Sequence, residues 1–292
     1  MTPQFSIIIP TYNRADGRLQ RALNSITVQT WRDFEAIIVD DGSKDDTREV
    51  VLAYLEEDAE REHPGMEMEV EQVEPTDPNV AEHLRGGRFR YVRHKERSQR
   101  VVARNTGMDL SVGAWITHLD SDDSWDQMYL ATFAHHIQEN PDARLFVCGA
   151  IVHGMEGKPN ARVCPAWTKI RNAWRPPVDA NGRHTYFNSG RVGTGTFVFA
   201  RECYEEVGPL PPWKHPDDIS DGIDEWLGLT FGTLGFGSGK RERETDAEPL
   251  IRKRKVGHVG NPYGEDHALF QRLALDFRVY LVQAALYVQY VR

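Results

Sequence analysis

Apolar positions follow two rhythms in the first half of the chain. Phe5-Ser6-Ile7-Ile8-Ile9 is a short, nearly unbroken apolar run closed by Pro10, the pattern of a strand buried on both faces. Within residues 17–30, Leu19, Ala22, Leu23 and Ile26 recur at helical spacing. Phe34-Glu35-Ala36-Ile37-Ile38-Val39 predicts a second strand. Ser43 with Asp46 then predicts a capping box that opens a helix through about Tyr54. Strand, helix, strand, helix at this interval predicts parallel β-α-β units. Phe89–Val92 reads as a strand, 99–110 as a helix and 114–119 as a strand. A helix over about 125–139, boxed by Ser124 and Gln127, and a strand at 144–148 complete this half.

Two stretches break the rhythm. Residues 56–84 hold eleven Asp or Glu against one Arg, with Pro64, Pro75 and Pro78, and predict a solvated insertion reaching to about residue 88. Residues 152–190, rich in Gly, Pro, Asn and Trp, predict loops around short elements, and 208–222 hold four prolines and many aspartates. Between them, Thr196–Phe199 predicts a strand and Glu202–Val207 a short helix. A glycine-rich stretch followed by Lys240, Arg241, Arg243 and Arg252–Lys255 predicts a mobile loop over 235–258. A last helix is expected from Gly264-Glu265-Asp266, and strand structure within 278–290. No internal repeat or linker divides the chain.

Length and charge narrow the class. A chain of 292 residues can bury a large core, and 40% hydrophobic content is ordinary for a globular protein. No run approaches the roughly 18–20 apolar residues of a membrane span. Met1-Thr2-Pro3-Gln4 lacks the basic start and apolar core of a secretory signal. A net charge of −9 argues against nucleic acid as a partner. Cys148, Cys164 and Cys203 have no metal-like spacing, so free, packed thiols in a reducing cytoplasm are expected.

Five clusters can carry chemistry. Pro10-Thr11-Tyr12-Asn13-Arg14 follows the first strand, where ligands of open parallel sheets sit. Tyr12 can stack on a base and Arg14 can meet a phosphate. Asp41, in Asp40-Asp41-Gly42-Ser43 after the second strand, can accept the imide N–H of a uracil. Arg104, in Arg104-Asn105-Thr106-Gly107, can aim a guanidinium at base or phosphates. Asp120, Asp122 and Asp123 end the strand at 114–119 and offer hard oxygens to Mg²⁺ or Mn²⁺. Glu265-Asp266 opens the last helix, whose N-terminal field stabilises a carboxylate available as a general base. Taken singly, each cluster also reads as turn, cap or solvated-face chemistry. A bare Asp-x-Asp is expected by chance in so acidic a chain. Trp167, Trp174, Trp213 and Trp226 suit sugar rings or a core equally. Asp217, Asp218, Asp221 and Asp224 suit acceptor hydroxyls or a solvated acidic loop.

Taken in order, the segments FSIIIPTYNR (5–14), QTWRDFEAIIVDDGS (29–43), ARNTG (103–107), ITHLDSDDSW (116–125) and GEDHALFQR (264–272) resemble family 2 glycosyltransferases of the GT-A fold. The resemblance implies an α/β fold with a mixed, mostly parallel central sheet flanked by helices. It implies one domain of two halves: residues 1–123 for the nucleotide sugar and 124–292 for the acceptor. Pro10, Tyr12, Arg14 and Asp41 would line the nucleoside diphosphate site, with Arg104 near the nucleotide. Asp120 would lie near the ribose and metal waters, and Asp122 would coordinate Mn²⁺ or Mg²⁺ at the diphosphate. Asp266 would be the base, with Glu265 beside it, and the reaction would invert the anomeric centre. The implied partners are a nucleotide-sugar donor, UDP-linked by preference with TDP and GDP open, and a glycan, lipid-linked or other hydroxyl acceptor. Arg252–Lys255 reads as a solvated charge run, with weak and at most peripheral attraction to an anionic membrane surface as the alternative.

Departures from the family pattern leave alternatives. Asp224-Glu225-Trp226 competes with Glu265-Asp266 for the acceptor side. The Gln-x-x-Arg-Trp signature of processive synthases is missing, which favours transfer of single sugars. A sugar-nucleotide pyrophosphorylase and a non-catalytic sugar- or partner-binding module are the rival classes. The first should carry a glycine-rich basic loop after strand one, which Pro10–Arg14 does not supply.

Overall fold

The structure is a computed structural model that describes residues 2–62, 70–153, 194–210, 269–270, 273, 277 and 279–290. In chain order the elements are β1 (Phe5–Thr11), α1 (Arg18–Thr27), β2 (Phe34–Asp40), α2 (Thr47–Glu62), β3 (Glu71–Gln72), β4 (Val80–Gly86), β5 (Phe89–His94) and α3 (Arg100–Leu110). There follow β6 (Trp115–His118), β7 (Ser124–Trp125), α4 (Tyr129–Glu139), β8 (Leu145–His153), β9 (Phe197–Ala200), α5 (Arg201–Val207) and β10 (Val279–Tyr290). Ten strands form one mixed sheet in the order β3-β4-β5-β2-β1-β6-β9-β8-β10-β7. Its block β5-β2-β1-β6 is parallel throughout. Antiparallel pairs flank that block on both sides, and β8 and β10 form one further parallel pair. The carboxyl ends of β1, β2, β5 and β6 therefore open onto one rim.

β1 is buried at every position because both of its faces are covered. Ile7 and Ile9 pack with Leu23 and Ile26 of α1, Leu55 of α2 and Phe133 of α4. Ile8 faces the opposite layer, with Val101 and Met108 of α3, Phe199, Cys203, Leu269 and Phe270. Each large apolar side chain so buried contributes roughly 1.5–3 kcal/mol. α3 lies so close to β1 that a Cβ on Gly107 would sit 2.4 Å from Ile8 Cγ2, which requires glycine there. Cys148 and Cys203 are buried free thiols, whereas Cys164 lies outside the described residues. Among the described residues no helix is long and apolar enough to cross a membrane.

Three local expectations are corrected. Ser43 does not open a capping box. Its Oγ accepts the Asn13 N–H at 2.9 Å, tying the loop after β1 to the loop after β2, and α2 starts only at Thr47. The acidic stretch 56–84 is not a plain insertion. α2 continues to Glu62, and β3 and β4 extend the sheet beyond β5. Its Asp58 is buried against the Arg88 guanidinium, since a deeply placed carboxylate needs a paired cation. Ser124 does not cap α4, because Ser124-Trp125 pairs antiparallel with Val288-Tyr287 of β10. Asp126 Oδ1 takes the Met128 N–H ahead of that helix instead.

Candidate active site

The rim carries a cavity of about 450 Å³. The loop after β1 supplies Pro10, Thr11, Tyr12 and Arg14, the end of β2 supplies Asp41, and the loop after β6 supplies Asp120, Ser121 and Asp122. The remaining wall comes from Arg97, Arg100 and Ala103, at and before the start of α3. Parallel pairing brings these segments together. Thr11 aligns with Asp40 and Asp40 with Arg93, so β1, β2 and β5 end at one level, while β6 ends at His118 opposite Ile8, three residues earlier, and the segment that follows it runs on to the same rim.

Asp41 is nearly inaccessible at 3% exposure. Its Oδ1 accepts the Ser98 N–H at 2.7 Å and lies 3.0 Å from His94 Nδ1, and its Oδ2 accepts the Gln99 N–H at 2.9 Å. Gly42, at φ 76°, lets the 96–97 backbone approach: a Cβ there would sit 3.1 Å from Arg97 N. The Arg97 guanidinium lies 4.4 Å over the Tyr12 ring centre. That is a cation–π contact on an aromatic face at the cavity wall.

The acidic loop is braced from behind. Arg104 is fully buried and off the cavity wall, and its Nη2 donates to Asp120 Oδ1 at 2.7 Å. Burial would raise the Asp120 carboxyl, but the Arg104 and Arg100 charges hold it below the usual range. Asp122, on the wall, pairs with Arg14 at 3.4 Å, and its carbonyl accepts Arg21 Nη2 at 2.7 Å. Asp123 points away from the cavity rim into the body of the protein. It accepts the Tyr287 hydroxyl and, at 2.9 Å, the Tyr290 N–H of β10. Burial pushes its carboxyl up to about 7, with Asp120 and Asp122 adding to the shift and the Tyr287 hydrogen bond opposing it. Among the described residues no three His, Cys, Asp or Glu side chains form a metal cluster. Asp120 and Asp122 are the carboxylates on the cavity wall that could hold a cation.

Residues 6–63 and 74–208 match Glycosyl transferase family 2. The chain belongs to that family. A PGL/p-HBAD biosynthesis glycosyltransferase of Mycobacterium bovis (strain BCG / Pasteur 1173P2) is 34% identical over 145 residues, 49% of this chain and 45% of that protein. Glycosyltransferase GlyA of Streptococcus pneumoniae serotype 4 is 29% identical over 136 residues, 47% of this chain and 15% of that protein. The chain thus spans less than half the length of these curated relatives. S. aureus TarS 1–349 in complex with UDP-GlcNAc superposes with a TM-score of 0.59 at 17% identity, covering 99% of this chain and 59% of that one. At that identity the likeness is one of fold, and it matches the GT-A architecture.

Within this glycosyl transferase family 2 chain, the structure brings Pro10, Tyr12, Arg14, Asp41, Asp120 and Asp122 to one cavity and sets Arg104 behind Asp120. Glu265 and Asp266 lie outside the described residues, as do Trp167, Trp174, Trp213, Trp226, Asp217–Asp224 and the basic stretch 235–258. Sequence reasoning missed Arg97, Arg100 and His94. A signal was present: His94 ends β5, a strand parallel to β2, so whatever follows it reaches the same rim.

Proposed function

We propose that this chain moves a single sugar from a nucleoside diphosphate sugar to an acceptor hydroxyl, with inversion at the anomeric carbon. A UDP-sugar is the favoured donor, and the acceptor is a glycan, a lipid-linked glycan or another alcohol. One observation carries the reading: an aromatic face, a desolvated carboxylate acceptor, and two further carboxylates among cations converge on one cavity at the carboxyl ends of parallel strands. Family membership supports it.

The Asp120 and Asp122 carboxylates on the wall fit a hard divalent cation that keeps waters and shares substrate phosphates. Asp122, with Asp120, would hold Mn²⁺ or Mg²⁺. When bound, such a cation supplies charge neutralisation to a diphosphate. The chain's own groups do the rest. Tyr12 stacks the base and Asp41 accepts its N–H. Arg14, Arg97 and Arg100 pair with phosphate oxygens and oppose the charge that develops as the C1–O bond to phosphate breaks. By the family resemblance, Asp266 takes the acceptor's proton and Glu265 stands beside it. The alkoxide oxygen attacks C1 from the face opposite the departing nucleoside diphosphate, and no covalent glycosyl-enzyme forms.

The test is nucleoside diphosphate release from a panel of sugar nucleotides with Mn²⁺ and candidate acceptors. Release with a UDP-sugar is expected, and Asp266→Asn should bind UDP yet transfer nothing. Normal turnover in that variant removes Asp266 as base. Pyrophosphate-dependent formation of a nucleoside triphosphate would make the chain a pyrophosphorylase. Absence of release with every donor would leave it a binding module.

A further inference from the structure

Asp41 is surrounded by donors that belong to the protein itself. A carboxylate offers about four lone-pair sites, two on each oxygen. Oδ1 serves His94 Nδ1 at 3.0 Å and the Ser98 N–H at 2.7 Å, so both of its sites are taken. Oδ2 serves the Gln99 N–H at 2.9 Å, so one site is left. The imidazole is held on its far side too, with Nε2 3.0 Å from Thr106 Oγ1, and it is 1% exposed. A carboxylate can only accept, so Nδ1 carries the proton toward Asp41 and Nε2 is left to take the Thr106 hydroxyl. Gln99 holds φ 82°, a backbone region that favours glycine, and there its N–H meets Oδ2. Each of these donors comes from the end of β5 or from the loop that follows it.

We propose that His94, locked by Thr106, together with the 98–99 backbone, limits Asp41 to one open acceptor site, so that the cavity selects a base presenting a single imide N–H. This rests on the reading of the cavity as a nucleoside diphosphate site. Uracil and thymine meet the condition. Guanine presents N1–H and N2–H side by side and needs an open lone pair on each oxygen. With Oδ1 filled, one guanine donor is desolvated without a partner, at a cost of about 1–3 kcal/mol, or roughly 5- to 150-fold in affinity. Cytosine turns an N3 lone pair toward a carboxylate and is repelled. In this arrangement His94 is a positioning residue: it acts through Asp41.

Titration calorimetry on the full chain with Mn²⁺ tests the proposal, using UDP, TDP, CDP, GDP and N3-methyl-UDP. UDP and TDP should bind at least about 5-fold tighter than the other three. Equal affinity for UDP, GDP and N3-methyl-UDP overturns the proposal and leaves the donor-site reading standing. Failure of every diphosphate to bind overturns the donor-site reading as well. His94→Phe keeps a planar ring and opens one site on Oδ1, so the UDP-to-GDP affinity ratio should fall about 5-fold or more. An equal loss for both nucleotides would reduce His94 to a packing role. Should that variant not fold, the comparison of UDP with GDP and N3-methyl-UDP on the unaltered protein decides.

Discussion

Replacing Arg104 by methionine tests whether the acidic loop is held from behind. Methionine keeps the length and apolar stem and removes the guanidinium. Arg104 is fully buried, and its Nη2 lies 2.7 Å from Asp120 Oδ1. Removing one partner of a buried ion pair costs about 3–5 kcal/mol, because the other charge is left desolvated. The Asp120 side chain retains 19% exposure, so water can enter, and the expected loss lies near the lower bound, about 3 kcal/mol. Asp120→Asn in the same background removes the orphaned charge. The double variant should then be more stable than the two single losses summed, with a coupling of about 2 kcal/mol. Urea unfolding of the four proteins near neutral pH measures this. A coupling below about 0.5 kcal/mol would refute the claim that Arg104 braces the loop through Asp120.

Acid should destabilise the protein through His83, whose ring nitrogen faces the Arg90 guanidinium at 3.2 Å. Burial, then Arg90 and Arg85, lower its pKa from 6.5 to about 4, so the unfolded state binds the proton first. Stability is therefore lost as pH falls through that window, and His83→Gln should flatten the urea midpoint against pH there. Asp58→Ala should cost about 3–5 kcal/mol because it leaves Arg88 buried without its carboxylate, and an unchanged urea midpoint would contradict this. Gln99→Gly should raise the melting temperature. Relief of about 1–3 kcal/mol of backbone strain outweighs the roughly 0.5–1 kcal/mol entropic cost of glycine, and a lowered melting temperature would deny that strain.

The sheet was legible wherever burial left a run of apolar residues. β1, β2 and the strands ending at His94 and His118 follow from their Ile, Val and Phe runs, and the rim from their parallel order. Side-chain caps were not legible: Ser43 and Ser124 have cap chemistry, but tertiary partners, the Asn13 N–H and β10, claim those segments. The 56–84 stretch misled because acidic composition hides which carboxylate is buried. Asp58 is solvated by Arg88, 30 residues away, which no local pattern reveals. At the site, Tyr12, Asp41 and Asp122 were found from their place after strands. Arg97 and His94 were missed because their roles depend on β5 lying beside β2, and the strand order is not written in any one segment.

The central claim is that Tyr12, Asp41 and Asp122 surround one nucleoside diphosphate. A crystal structure of the full chain with UDP and Mn²⁺ tests it most directly. The account predicts uracil against the Tyr12 ring with its N3 within hydrogen-bond reach of Asp41 Oδ2, and the diphosphate and metal beside Asp122. UDP density elsewhere, or a base in this cavity without contact to Asp41, would contradict it.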